Sequence, residues 1–137
     1  MQRRDFLILA GAAAALPVSA MAEALQYKSG MLQQRLDAGE TLFLDFTASW
    51  CSTCRAQGRI IEKLKAANPA YEANITFIDI DWDTYGSSQM ATQMRIPRRS
   101  TLVVLKGSEE LGRVVAETRE DSIRALMDTA LAAATSA

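Results

Sequence analysis

Leu42-Phe43-Leu44-Asp45-Phe46-Thr47-Ala48-Ser49-Trp50-Cys51-Ser52-Thr53-Cys54-Arg55 is an apolar run that delivers two cysteines onto the start of a helix. Thr41 to Thr47 is short and aromatic-rich, which predicts a buried strand and not one face of a helix. After Cys51 the period changes. Ile60, Ile61, Leu64 and Ala67 recur at helical spacing, leaving Arg55, Arg59, Glu62, Lys63 and Lys65 for the polar side. Cys51 therefore stands at the helix N-terminus, with Cys54 one turn further in. Unpaired backbone N–H groups and the positive end of the helix dipole favour a thiolate there. Such a site can bring a thiol from about 8.5 to roughly 3.5–7.5. Cys51 is expected to be the exposed nucleophile, and Cys54 the resolving thiol that closes a disulfide. Half of a structural zinc site is the bland alternative, but such sites use about four Cys or His ligands. This chain has 2 Cys and 0 His.

With 137 residues the chain can build one domain around one core. Its 49% hydrophobic and 23% charged residues describe a folded protein and argue against disorder. A formal net charge of −1 points to neither nucleic acid nor anionic lipid.

Met1-Gln2-Arg3-Arg4-Asp5-Phe6-Leu7, the apolar run Ile8 to Leu16, Pro17 and Ala20-Met21-Ala22 have the three parts of an export signal: a positive start, an apolar middle and a small-x-small cleavage site. The Arg3-Arg4 pair resembles the twin-arginine signal of bacteria. An uncleaved anchor is the alternative, yet Phe6 to Leu16 is shorter than the ~20 residues a membrane helix needs. The expectation is residues 1–22 as signal and 23–137 as the domain, periplasmic after cleavage. Cleavage after Ala22 leaves 13 basic and 15 acidic residues, a formal charge of −2. Structural disulfides persist in that compartment. A pair only three positions apart removes little loop entropy, so this disulfide is expected to exist for its reactivity.

In order, Leu25 to Lys28 reads as a short edge strand, and Ser29 to Ala38 as a helix with Ser29 as N-cap and Gly39 as its stop. The cysteine helix ends at Asn68-Pro69. Asn74 to Asp81 reads as a second buried strand, parallel to Thr41 to Thr47 across the cysteine helix. Asp79, Asp81 and Asp83 alternate like a calcium loop, but its sixth and twelfth positions hold Thr84 and Met90 where glycine and glutamate belong, which favours plain solvated carboxylates. Ser87 to Met94 predicts a short helix. Thr101 to Lys106, Gly107-Ser108 and Glu110 to Ala116 predict an antiparallel hairpin. Thr118-Arg119-Glu120-Asp121 resembles a capping box opening a last helix with Ile123, Leu126, Met127, Ala130 and Leu131 inward, and Ala132 to Ala137 is expected to fray.

The strand, Trp50-Cys51-x-x-Cys54 at a helix start, the second strand and the terminal hairpin and helix together resemble the thioredoxin family, over about residues 25 to 134. The resemblance implies an α/β thioredoxin fold, a central mixed sheet of four or five strands flanked by helices. It also implies thiol–disulfide exchange through a mixed disulfide on Cys51. Asp45, six residues before Cys51, matches the family's buried acid, which helps move the proton of the resolving cysteine. Physics supports this separately, because a carboxylate inside Leu42 to Phe46 is desolvated and its pKa raised. A strand-end aspartate bonded to backbone is the alternative. The resemblance places substrate contacts at Trp50, Arg99, Ser100 and Thr101, although Trp50 could equally be core.

Three departures stand out. Ser52-Thr53 replaces the glycine-proline of cytosolic thioredoxin, which leaves the redox potential open. Ser100 aligns with the family's cis-proline, unless Pro97 takes that place with a longer loop. Arg59 replaces a proline that kinks the cysteine helix, so Gly58 would have to supply any bend. Arg55, Arg98 and Arg99 would gather near the cysteines, favouring thiolate and an acidic partner, or else stand as solvated loop arginines.

These readings converge on a periplasmic thiol–disulfide oxidoreductase, a monomer without cofactor, reducing disulfide-containing exported proteins. The resemblance implies a membrane thiol-transporting reductant as its electron source. Two rivals stay open: a carrier of soft Cu(I) on the paired thiolates, and a redox-inactive binding module of the same fold.

Overall fold

The computed structural model describes residues 23–136. The expected export signal, residues 1–22, lies outside them. Its elements in chain order are β1 (Leu25–Gln26), α1 (Met31–Asp37), β2 (Thr41–Thr47), α2 (Ser52–Ala67), α3 (Ala70–Asn74), β3 (Thr76–Asp81), α4 (Trp82–Tyr85), α5 (Gln89–Gln93), β4 (Thr101–Lys106), β5 (Glu109–Val115) and α6 (Glu120–Thr135). The strands form one sheet in the order β1-β3-β2-β4-β5. β1 and β2 run parallel to β3, and β4 runs antiparallel to β2 and β5. This is the mixed sheet that the resemblance implies.

β2 sits centrally because both its faces are apolar, and strand alternation sends its residues to two different cores. Phe43 joins Ile61, Leu64, Phe77, Leu102, Val104, Ile123 and Met127, the layer beneath α2 and α6. Leu42, Leu44 and Phe46 join Leu32, Ile78, Ile80, Ala91, Ile96 and Val103 beneath α1 and α5. Asp45 shares the pleat face of Phe43, which turns its carboxyl toward the cysteine helix. The β2–β3 register pairs Asp45 with Asp79.

Several local expectations are corrected. The N-cap of α1 is Gly30 at φ 85, not Ser29, because the entering chain turns through the left-handed region that glycine takes without strain. Gly39 does stop that helix, at φ 88. A short α3, pinned to α6 by the Tyr71 hydroxyl donating to Asp128 at 2.5 Å, separates α2 from β3. The stretch from Trp82 to Gln93 holds two short helices, capped by the side chains of Asp81 and Ser88. No side chain caps α6, whose N-cap is Arg119, so the box at Thr118 does not form. Nor does the C-terminus fray early: α6 runs to Thr135, and the Lys106 ammonium donates to the Ala133 carbonyl.

Lys65 is the largest departure on α2. Expected on the polar side, it is 3% exposed. Its ammonium lies 4.1 Å from the Phe77 ring centroid, with the Glu62 carboxylate at 3.5 Å and Glu72 at 3.9 Å. A long aliphatic stem with carboxylates at its tip lets a cation lie against the sheet.

Candidate active site

β2 ends at Thr47, and the Ala48 carbonyl accepts the Cys51 N–H at 3.1 Å, turning the chain into α2. Cys51 is the N-cap residue, with extended backbone, and its Sγ accepts the Cys54 N–H at 3.1 Å. A sulfur thus satisfies one of the orphan donors at the helix start. The first turn of α2 holds no acidic side chain to oppose negative charge. Cys51 and Cys54 are joined as a disulfide with Cα atoms 5.2 Å apart.

The expectation of an exposed Cys51 is overturned. Cys51 is 2% exposed and Cys54 3%, so neither stands out into solvent. The pair packs against Ala48 and the Trp82 side chain, with the Ser100 hydroxyl against both sulfurs.

Ser100, not Pro97, occupies the position beside the cysteines. Pro97 is exposed on the loop, whereas Ser100 is fully buried with its Oγ 3.2 Å from Cys51 Sγ and 3.1 Å from Cys54 Sγ. All described peptide bonds are trans, and Ser100 instead takes a left-handed φ of 66. Such a conformation in a non-glycine residue is held by its surroundings. Here the Ser100 N–H donates to the Phe46 carbonyl at 2.7 Å, and the Ser100 carbonyl accepts from the Ala116 N–H at 2.8 Å and Gln57 Nε2 at 3.1 Å. Thr101 is equally buried, its hydroxyl donating to the Arg98 carbonyl at 2.7 Å. Of the four expected substrate positions, Ser100 and Thr101 thus offer no surface in this state.

Trp50 and Arg99 do. Trp50 is 55% exposed, which sets aside the reading of it as core. Its indole N–H donates to the two Asp83 carboxylate oxygens at 2.9 and 3.1 Å, and the Arg99 guanidinium lies 4.4 Å from the ring centroid. An aromatic plate held at its edge by an acid and stacked by a cation is a rigid, amphipathic surface. Arg98 turns back to the Arg99 carbonyl at 2.9 Å, and Arg55 to the Ser49 carbonyl at 2.9 Å.

Asp45 borders a cleft of about 620 Å³ whose lining includes Arg55, Lys65, Phe77 and Asp79. Its Oδ1 is buried without a hydrogen-bond partner, which excludes the alternative of an aspartate satisfied by backbone at that oxygen. Burial first, and then the neighbouring Asp79 charge, push its carboxyl up to about 8 against the opposing pull of Lys65. Asp79 is itself raised, chiefly by burial, with Lys65 again opposing. The alternating aspartates have separate work: Asp81 caps α4 and Asp83 holds Trp50.

Gln57, absent from the sequence reading, is fully buried, and its amide bridges the carbonyls of Ser100 and Glu117 at 3.1 and 3.0 Å. Its position was accessible, since Cys54, Gln57, Ile61 and Leu64 follow helical spacing on the buried side of α2. Asp83 and Ala116, by contrast, reach the site only through the tertiary fold.

The thioredoxin family model matches residues 23–129. A thioredoxin H-type of Fagopyrum esculentum is 27% identical over 89 residues, covering 65% of this chain and 72% of the relative. A thioredoxin H-type of Picea mariana is 28% identical over 104 residues, covering 76% and 78%. Among solved structures, Trxlp from Edwardsiella tarda EIB202 superposes with a TM-score of 0.64 at 25% identity, covering 75% of this chain and 98% of that one. Fold, paired cysteines and relatives agree, and the chain belongs to the thioredoxin family as a thiol–disulfide oxidoreductase.

Proposed function

We propose that the protein works in the periplasm as a reductant of disulfides in exported proteins, with Cys51 as the attacking sulfur. The Cys51 thiolate attacks a substrate disulfide, forms a mixed disulfide and expels one substrate thiolate. Cys54 then attacks Cys51 Sγ, restores the internal disulfide and releases the second substrate thiol. Two electrons pass to the substrate. Asp45, once ionised, accepts the Cys54 proton in the resolving step, and with its carboxyl pushed up to about 8 this acceptor is increasingly populated as pH rises from 7 toward 8.

The observation that carries this reading is the Cys51 sulfur capping α2 within disulfide reach of Cys54, with one Asp45 carboxyl oxygen buried and unpartnered on the strand behind. Export rests on the residues 1–22 and on the Arg3-Arg4 pair. Held reduced in an oxidising compartment, the enzyme requires a membrane thiol donor. The Trp50–Arg99 plate with Arg98 beside it suits a partner that is acidic near its disulfide.

The deciding measurement is the potential of the Cys51–Cys54 couple: a value near ~−270 mV supports the reductant, and one near ~−120 mV makes it an oxidant. Cys54→Ser is expected to trap exported proteins as mixed disulfides on Cys51. Mass spectrometry of the exported protein beginning at Glu23 supports the leader; a chain beginning at Met1 overturns it. Copper retained through purification would favour the Cu(I) carrier instead.

A further inference from the structure

The Ser100 hydroxyl is buried, and the two sulfurs are its hydrogen-bonding neighbours, at 3.2 and 3.1 Å. In the disulfide neither sulfur carries a proton, so the hydroxyl is the only donor available, with one proton for the two contacts. A disulfide sulfur is a weak acceptor, whereas a thiolate is a strong one. The oxidised enzyme therefore holds a buried donor facing poor acceptors, and reduction supplies a good one in the same place. The geometry around the residue keeps it there: two backbone bonds, to Phe46 and Ala116, and one from the Gln57 side-chain amide fix the left-handed turn that aims Oγ at the sulfurs.

We propose that Ser100 is a catalytic residue whose single hydroxyl proton follows the negative charge from one sulfur to the other during exchange. In the dithiol state it donates to the Cys51 thiolate. Once Cys51 is joined to substrate and neutral, a rotation about one side-chain bond turns the same proton to Cys54 Sγ, the next sulfur to carry charge. Cys51 Sγ and Cys54 Sγ stand within 0.1 Å of equidistant from Oγ (3.2 against 3.1 Å), so no backbone movement is needed for the transfer. Because the bond strengthens on reduction, it favours the reduced form and makes the enzyme less reducing than the same fold without the hydroxyl.

The inference rests on Cys51 carrying the thiolate, which the pH profile of iodoacetamide alkylation in the unaltered chain tests by itself. Ser100→Ala and Ser100→Gly both remove the hydroxyl, and glycine also accepts a φ of 66 without strain. Both variants are expected to raise the Cys51 pKa by about one pH unit and to shift the equilibrium with glutathione about tenfold toward the disulfide, ~30 mV more reducing. If both stay within about twofold of the parent in each measurement, the hydroxyl only fills space and the proposal falls. Should neither variant fold, the unaltered protein decides: the Ser100 Cβ resonance is expected to titrate with Cys51, and a resonance indifferent to Cys51 ionisation overturns the inference.

Discussion

At the scale of the residue, Asp45 shows how one carboxyl couples stability to chemistry. Its ordinary value of 3.8 is raised to about 8 in the fold, mainly by burial. The folded state therefore keeps a proton that the unfolded chain has lost. Its contribution is full below about 3.8 and disappears as pH rises toward 8. Asp45→Asn is expected to remove this slope, leaving the oxidised protein more stable at pH 8 by on the order of a few kcal/mol, read by thermal unfolding across pH. The same variant is expected to flatten the pH–rate profile of disulfide reduction, and an unchanged profile would take Asp45 out of the proton transfer. Gln57 is the second case. Gln57→Leu withdraws a buried hydrogen bond to the Ser100 carbonyl and a part-buried one to the Glu117 carbonyl. A loss of roughly 1–3 kcal/mol is expected, since the Ser100 carbonyl keeps the Ala116 N–H and Glu117 is exposed, and denaturant unfolding measures it.

At the scale of the element, the wall beside the disulfide depends on α4, a helix of 4 residues. Trp82 in α4 packs on the cysteines and meets Phe46 edge-on at 6.4 Å. Gly86 closes that turn, and a Cβ there would stand 2.7 Å from the Trp82 carbonyl oxygen and 2.8 Å from its indole ring. Backbone and a packed ring cannot both give way at that distance. Gly86→Ala is expected to destabilise by about 1–3 kcal/mol and to speed alkylation of the reduced cysteines, because the displaced indole uncovers them. Unchanged stability and alkylation would show that α4 adjusts freely. The fixed Trp50 plate belongs to the same scale, since Asp83 of α4 anchors it.

For the molecule as a whole, charge separates from net charge. The chain carries a formal net charge of −1, yet Arg55 directly follows Cys54 and Arg98-Arg99 directly precedes Ser100, two of these three turning to backbone carbonyls while Arg99 stacks on Trp50. A local positive field steers acidic partners whatever the sum of charges. Arg98→Gln with Arg99→Gln is expected to slow reduction of an acidic disulfide peptide severalfold at low salt and to weaken its salt dependence, while a neutral peptide reacts as before. Equal effects on both peptides, or none, would mark these as ordinary solvated arginines.

The order of the strands and of the longer helices, the central place of β2, and the cysteine pair at a helix start were legible in the sequence because each rests on local causes: strand and helix periods, turn residues and the N-cap position of Cys51. Asp45 was legible for the same reason, as an acid inside an unbroken apolar run. What only the tertiary structure decided was everything that depends on neighbours from distant parts of the chain. Burial of both sulfurs needs Ser100 and Trp82 to close over them, Lys65 lies inside because Phe77, Glu62 and Glu72 receive it, and Trp50 lies outside because Asp83 and Arg99 hold its edge and face. Sequence spacing reports which side of an element a residue faces; whether that side is covered, and by which charge, is settled only when the sheet and helices assemble.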